Sequence, residues 1–405
     1  MGDDNRVDDV KRLREVASQS LRANLVTHDS GTFLRAGAHH FASLWTRDFA
    51  YAVPGLCAIG ERAAAEHHLS TILKQTASDG LVPRILERGS SAWTVLKWTL
   101  FRPLQMEAGE KTDWRGSKLK AEYLGEHGTR ALDAGLLVLL ASFSMANPGF
   151  LSAHHEELKK VFRYYETLTG GWRQLLTQDE FEDWQDSARR SGCVSYCNLL
   201  LLWVLHHAQR FEWVSPGDLA RMTALFNATF ARVNGLIPLR SGGAQIALET
   251  QLHAIEMGLE FPSWRTHVDG MWKDLKRSDL WLRGLGLPIH PRYHDDEISF
   301  FTKAVGLRHY HDAFRWTWLI AETGRIALLF NDLEVAEVCA SELVRSLGPQ
   351  GVGEILELKT PQPVRTWTYR SEAPFSWGAA RTLQFCDLWS ERVTASPSKS
   401  SPLST

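Results

Sequence analysis

Helices of two unlike kinds alternate along this chain, and that alternation restricts the fold more than any other feature. ALDAGLLVLLASF (Ala131–Phe143), VSYCNLLLLWVL (Val194–Leu205) and WTWLIAETGRIALLF (Trp316–Phe330) are apolar almost all round. VDDVKRLREVASQSL, HHEELKKVFRYYETL and LEVAEVCASELVRSL instead carry charge along one face. A helix that is apolar on every side must be buried on every side, whereas an amphipathic one covers a core from outside. The alternation therefore predicts an all-α fold, an inner ring of helices sheathed by an outer ring. That is an α/α-barrel, in which antiparallel hairpins close in a circle. Roughly a dozen helical segments give about six hairpins, an (α/α)6 barrel with short β-prone loops at its mouth. Two of these loops, DGLVPRI (Asp79–Ile85) and NGLIPLR (Asn234–Arg240), look like equivalent connections in two hairpins.

No internal stretch rich in Pro, Gly or Ser divides the chain. We expect one α/α-barrel domain over residues 1–394 and a disordered tail, ASPSKSSPLST, over 395–405. The 405 residues carry 45 basic and 47 acidic side chains, which argues against a nucleic-acid binder. The longest apolar runs, such as Leu199–Leu205, fall well short of the roughly 20 residues that span a bilayer, so no membrane partner is expected. Five cysteines without a CxxC pair predict free thiols, and a charged N-terminus without an apolar signal core predicts a cytoplasmic protein. Sixteen tryptophans suit either a core or sugar recognition, because an aromatic face packs against the C–H face of a pyranose.

Four segments set charges among aromatics, where a solvated face would not need them. In SLWTRDFAYAVPGL, Arg47 and Asp48 lie between Trp45 and Phe49, as an ion pair or as a clamp on sugar hydroxyls. In DEFEDWQDSARRSG, Asp183 and Asp186 flank Trp184, with Arg190 close behind. An acid beside a bulky aromatic can have its pKa raised by desolvation and deliver a proton near neutrality. GVGEILELKTPQPVRTWTYRSEAPFSWGAA offers Glu354, Glu357 and Glu372 as bases, ahead of Trp377. RHYHDAFRWTWLIA presents Tyr310, His311, Trp316 and Trp318. YHDDE and HYHD contain metal-ligand types without a spacing that implies a site, so no metal and no cofactor is expected.

In order and spacing, these segments resemble the helical-barrel glycoside hydrolases: alkaline/neutral invertases, trehalases, processing α-glucosidases and amylo-α-1,6-glucosidases. The likeness runs from about Gly31 to Trp389. It implies an inverting, exo-acting α-glycosidase that hydrolyses a small or terminal α-linked glucoside. Asp186 in DWQDSARR matches the family's general acid, with Asp183 as its nearby rival. Glu357 in GEILEL matches the base, with Glu354 as the alternative. Arg47, Asp48 and Asp133 match residues that hold sugar hydroxyls. Trp45, Trp184, Arg190, Tyr310, His311, Trp316 and Trp377 complete the expected binding set. Asp312 and Thr317 replace an Asn and a Pro of the family pattern, and the base segment continues with LKT instead of YDG. An inverting pair sits roughly 6.5–9.5 Å apart to leave room for water. The expected partner is a small carbohydrate. Two other classes share these features: a sugar 2-epimerase with histidine acid and base, and a carbohydrate-binding relative without turnover.

Overall fold

The computed structural model describes residues 3–88, 112–125, 127–282 and 285–394. The expected tail over 395–405 lies outside them. Its principal helices are α1 (Asp3–Ala23), α2 (Thr46–Ala58), α3 (Arg62–Lys74), α4 (Leu132–Ser144), α5 (His155–Leu168), α6 (Ser195–Ala208), α7 (Pro216–Thr229), α8 (Leu248–Glu260), α9 (Met271–Arg277), α10 (Phe300–Ala304), α11 (Thr317–Leu329), α12 (Leu333–Ser346) and α13 (Ser376–Trp389). No described helix is long and apolar enough to cross a membrane. The five cysteines are free.

The apolar helices form a closed inner cycle. α2 packs on α4, α4 on α6, α6 on α8, α8 on α11, α11 on α13, and α13 returns to α2. Each carries an amphipathic partner on its outside: α3 on α2, α5 on α4, α7 on α6, α9 on α8, α12 on α11 and α1 on α13. The burial follows the composition. In α4 every residue but Leu140 and Ser144 is buried, whereas α5 buries one stripe of Leu158, Val161, Phe162, Tyr164 and Tyr165. Gly135 lets these two helices meet, since a Cβ there would come within 2.6 Å of the Tyr165 hydroxyl.

One junction recurs six times among the described residues. The first helical N–H of each inner helix has no acceptor inside its own helix. It donates instead to a carbonyl in the loop beyond the partner outer helix. The pairs are Thr46 to Arg84 (3.1 Å), Leu132 to Glu182 (2.7 Å), Ser195 to Leu239 (2.9 Å), Leu248 to Pro288 (2.9 Å), Thr317 to Glu354 (3.0 Å) and Ser376 to Ala36 (2.8 Å). None of the six N-cap residues caps its helix with a side chain. The loop carbonyl replaces that cap. Arg84 and Leu239 hold the same position in the two similar loops DGLVPRI and NGLIPLR, which accounts for their likeness. Short antiparallel pairs reinforce several junctions: β1 (Leu44–Trp45) with β2 (Ile85–Arg88), and β3 (Arg315–Trp316) with β4 (Ile355–Leu356).

Candidate active site

The second residues of the six inner helices are Arg47, Asp133, Tyr196, Glu249, Trp318 and Trp377, and all are buried. Two of them, Arg47 and Trp377, line a cavity of about 250 Å³. Trp45, Arg47, Asp48, Arg84, Trp184, Asp186, Tyr310, His311, Trp316, Glu354, Tyr369 and Trp377 are among the residues that line it. A second hollow of about 330 Å³ lies on the outer layer over Phe226, Phe230 and Trp264, but no carboxyl lines it. Of the two, only the first offers the paired carboxyls that acid–base chemistry on a glycoside needs.

On one wall, Arg47 makes a bidentate pair with Asp133 at 2.8 and 3.0 Å and reaches Asp186 at 3.4 Å. Arg84 lies over the Trp45 ring and also meets Asp186 at 3.4 Å. A ring nitrogen of His311 stands 3.9 Å from the other oxygen of Asp186. Burial pushes the Asp186 carboxyl up, but His311, Arg47 and Arg84 together pull it well below the usual carboxylate range. Burial lowers the pKa of His311 itself. Asp48 responds the other way, pushed up to about 7 by burial despite the adjacent Arg47.

Elsewhere in the lining, on a second wall, Glu354 accepts hydrogen bonds from the hydroxyls of Tyr310 and Tyr369 and, at 3.1 Å, from the Glu372 N–H. Its partners here are neutral donors. Burial pushes it up to about 8, the three donors opposing that rise. Glu354 immediately precedes β4, and Glu357 directly follows it. Side chains alternate along an extended segment, so residues three apart point to opposite faces. Glu354 therefore lines the cavity, whereas Glu357 is not among the lining residues; its carbonyl accepts from Arg315 at 3.0 Å.

The remaining expected residues divide into lining and support. Asp183 is buried away from the cavity, held by Gln178 (2.9 Å), the Gln185 N–H (2.9 Å) and Arg190 (3.1 Å). Arg190 is fully buried between Asp183 and Glu249, and Asp133 is closed off by Arg47. Glu372 accepts from the N–H groups of Ala38, His39, His40 and Phe41, and so fixes the loop that brings Phe41 to the cavity. Gly37 permits this, because a Cβ there would lie 2.3 Å from the Glu372 side chain. Trp184 meets His311, Trp316, Trp318 and Trp377 edge-on, with centroids 5.2–6.0 Å apart. The indole N–H groups of Trp45 and Trp377 and the Ser187 hydroxyl are buried without a partner, leaving polar groups for a ligand. Sequence reasoning missed Arg84 and Tyr369. Arg84 had a signal in the repeated loop; Tyr369 had none.

No protein-family model matches the chain, and no curated protein matches it by sequence. Solved structures do. A glycosidase in complex with glucose superposes with a TM-score of 0.62 at 13% identity, covering 96% of this chain and 99% of its own. The GH63 mannosylglycerate hydrolase of Thermus thermophilus, in complex with Tris and D-glycerate, gives 0.59 at 13% identity over 92% and 99%. A sugar epimerase from a ruminal bacterium gives 0.51 at 10% identity over 84% and 85%. These likenesses show the fold: the chain shares the α/α-barrel of these glycosidases and of the epimerase.

Proposed function

We propose that this protein is an inverting, exo-acting α-glycosidase that hydrolyses a small or terminal α-linked glucoside in the cytoplasm. In this reading residues 1–394 form one catalytic domain, and the six recurring junctions mark six helical hairpins. The observation that carries the reading is that Asp186 and Glu354 line one aromatic cavity. Glu354 takes the place of Glu357 as the second carboxyl, on the lining geometry.

Asp186 donates a proton to the glycosidic oxygen as the bond from the anomeric carbon breaks. Glu354 accepts a proton from a water that attacks the opposite face of the ring, inverting the anomer. The pair thus needs one proton in total. In the free protein that proton resides with Glu354, and Asp48 holds a further fraction near neutrality. Substrate binding must carry a proton from this reserve to Asp186. Arg47 and Asp48 hold hydroxyls of the terminal sugar, and the unpartnered indole N–H groups of Trp45 and Trp377 donate to others.

The test is release of glucose from a panel of α-glucosides, with the product anomer followed by NMR. Release of the β-anomer supports the reading; release of the α-anomer, or of no sugar, overturns it. Sugar epimerisation is the second reading, since His127 and His311 line the same cavity and an epimerase shares the fold. Incorporation of deuterium at C2 of a free sugar in heavy water would select it.

A further inference from the structure

We propose that His127, Phe181 and Phe301 form a platform for a second sugar ring on the leaving-group side of the bond. This rests on the hydrolase reading with Asp186 as the acid. The three rings come from separate segments of the chain and line the same cavity as the carboxyl pair. His127 stacks on Phe181 with centroids 4.0 Å apart, and Phe301 lies 6.4 Å from His127. Phe301 is 63% exposed, so its ring is open to a ligand in the cavity. Phe181 has φ +66, a left-handed conformation unfavourable for an aromatic residue and kept where the surroundings enforce it.

All three rings are tied to the Asp186 loop. Phe181 precedes Asp186 by five residues in the chain. The helix of Phe301 begins where the Ser299 N–H donates to the Ser187 carbonyl at 2.8 Å, beside an Arg189 N–H to Glu297 carbonyl bond of 2.7 Å. The His127 turn is held by the Arg130–Glu182 ion pair at 2.9 Å. A proton donor stands on the side of the departing oxygen, so rings fixed to its loop face the departing group. The platform also has hydroxyls beside it, from Thr129, Thr302 and the unpartnered Ser187. Apolar faces bordered by hydroxyls match a pyranose, which pairs a C–H face with polar edges. They do not match a small acid, which has no such face.

The experiment compares three α-glucosyl substrates: glucosyl fluoride, methyl glucoside and an α-linked diglucoside. Wild type, Phe301→Ala and Phe300→Ala are assayed on each, Phe300 being an exposed neighbour outside the lining set. The platform predicts a higher kcat/KM for the diglucoside than for methyl glucoside in the wild type. Phe301→Ala should lose about three- to tenfold on the diglucoside, the size of one aromatic packing contact, and less than twofold on the fluoride. Phe300→Ala should change neither. Equal losses on all substrates, or no diglucoside preference, overturn the platform while fluoride turnover keeps the hydrolase. If even the fluoride is inert, the hydrolase reading falls. Calorimetric titration with the diglucoside then decides: binding weakened by Phe301→Ala sustains the platform, and unchanged or absent binding overturns it.

Discussion

The two walls of the cavity each present one carboxyl, and they treat it in opposite ways. Asp186 faces two guanidinium groups and an imidazole; Glu354 faces two phenols and a backbone N–H. Glu354 is fully buried and Asp186 only partly so. Only on the charged wall is the cost of ionisation offset by opposite charge, so one group is held as an anion and the other keeps its proton near neutrality. The difference teaches that protonation here is set by the neighbours and not by residue type. It also gives the cavity the asymmetry that acid–base catalysis requires: one proton shared by two unlike sites.

Removing either carboxyl should have the largest effect. Asp186→Asn and Glu354→Gln should each lower kcat on an O-glucoside by about 10²–10⁴-fold, the range for positioned acid–base groups. Glucosyl fluoride separates their roles, because fluoride leaves without a proton. Asp186→Asn should retain most of its fluoride turnover, and Glu354→Gln should lose it. The converse pattern would exchange the two roles.

Next in size is a change beneath the charged wall. Asp133 makes both short contacts with Arg47 and is itself buried. Asp133→Ala leaves that guanidinium without its principal partner, which should cost about 3–5 kcal/mol of stability. Urea unfolding should show this as a lower midpoint at an unchanged slope. A loss below about 1 kcal/mol would mean that Asp186 alone neutralises Arg47.

A smaller effect should appear in the pH profile. In the proposed mechanism the pair carries one proton, so kcat/KM should fall as pH rises past about 8, where Glu354 loses its proton. The Tyr310 hydroxyl bond favours the ionised form of Glu354, so Tyr310→Phe should raise that pKa and move the fall to higher pH. A shift to lower pH, or none, would show that another group sets this limb.

The charged wall was more legible in the sequence than the neutral one. Arg47, Asp48 and Asp186 stand out because charges next to Trp45 and Trp184, ahead of apolar helices, have no structural reason to be there unless paired or bound. The inner and outer helices were legible for a similar reason, as burial on all sides demands apolar residues on all sides. Support could not be told from lining in the same way. Asp183 and Asp186 differ by one helical turn's worth of sequence, yet one is locked by Gln178 and Arg190 while the other meets the cavity. That distinction depends on contacts with α8 and on a loop at residues 293–299, which no local pattern discloses.

The smallest expected effect concerns the neutral wall and its two glutamates. GEILEL places Glu354 and Glu357 in the same apolar setting, and composition cannot choose between them. The β4 segment chooses by alternation. Its pairing with Arg315 and Trp316 fixes which face each residue presents. Glu354 turns to the phenols, and the Glu357 backbone serves Arg315, which also pairs with Glu342 at 2.7 Å. The Glu357 side chain has no part in either wall, so Glu357→Gln should leave kcat/KM within about twofold and the product anomer unchanged, the usual result away from a site. A loss as deep as that of Glu354→Gln would mean that the loop from β4 to Pro363 rearranges on binding and delivers the second glutamate. Steady-state kinetics of the two variants side by side decides the point.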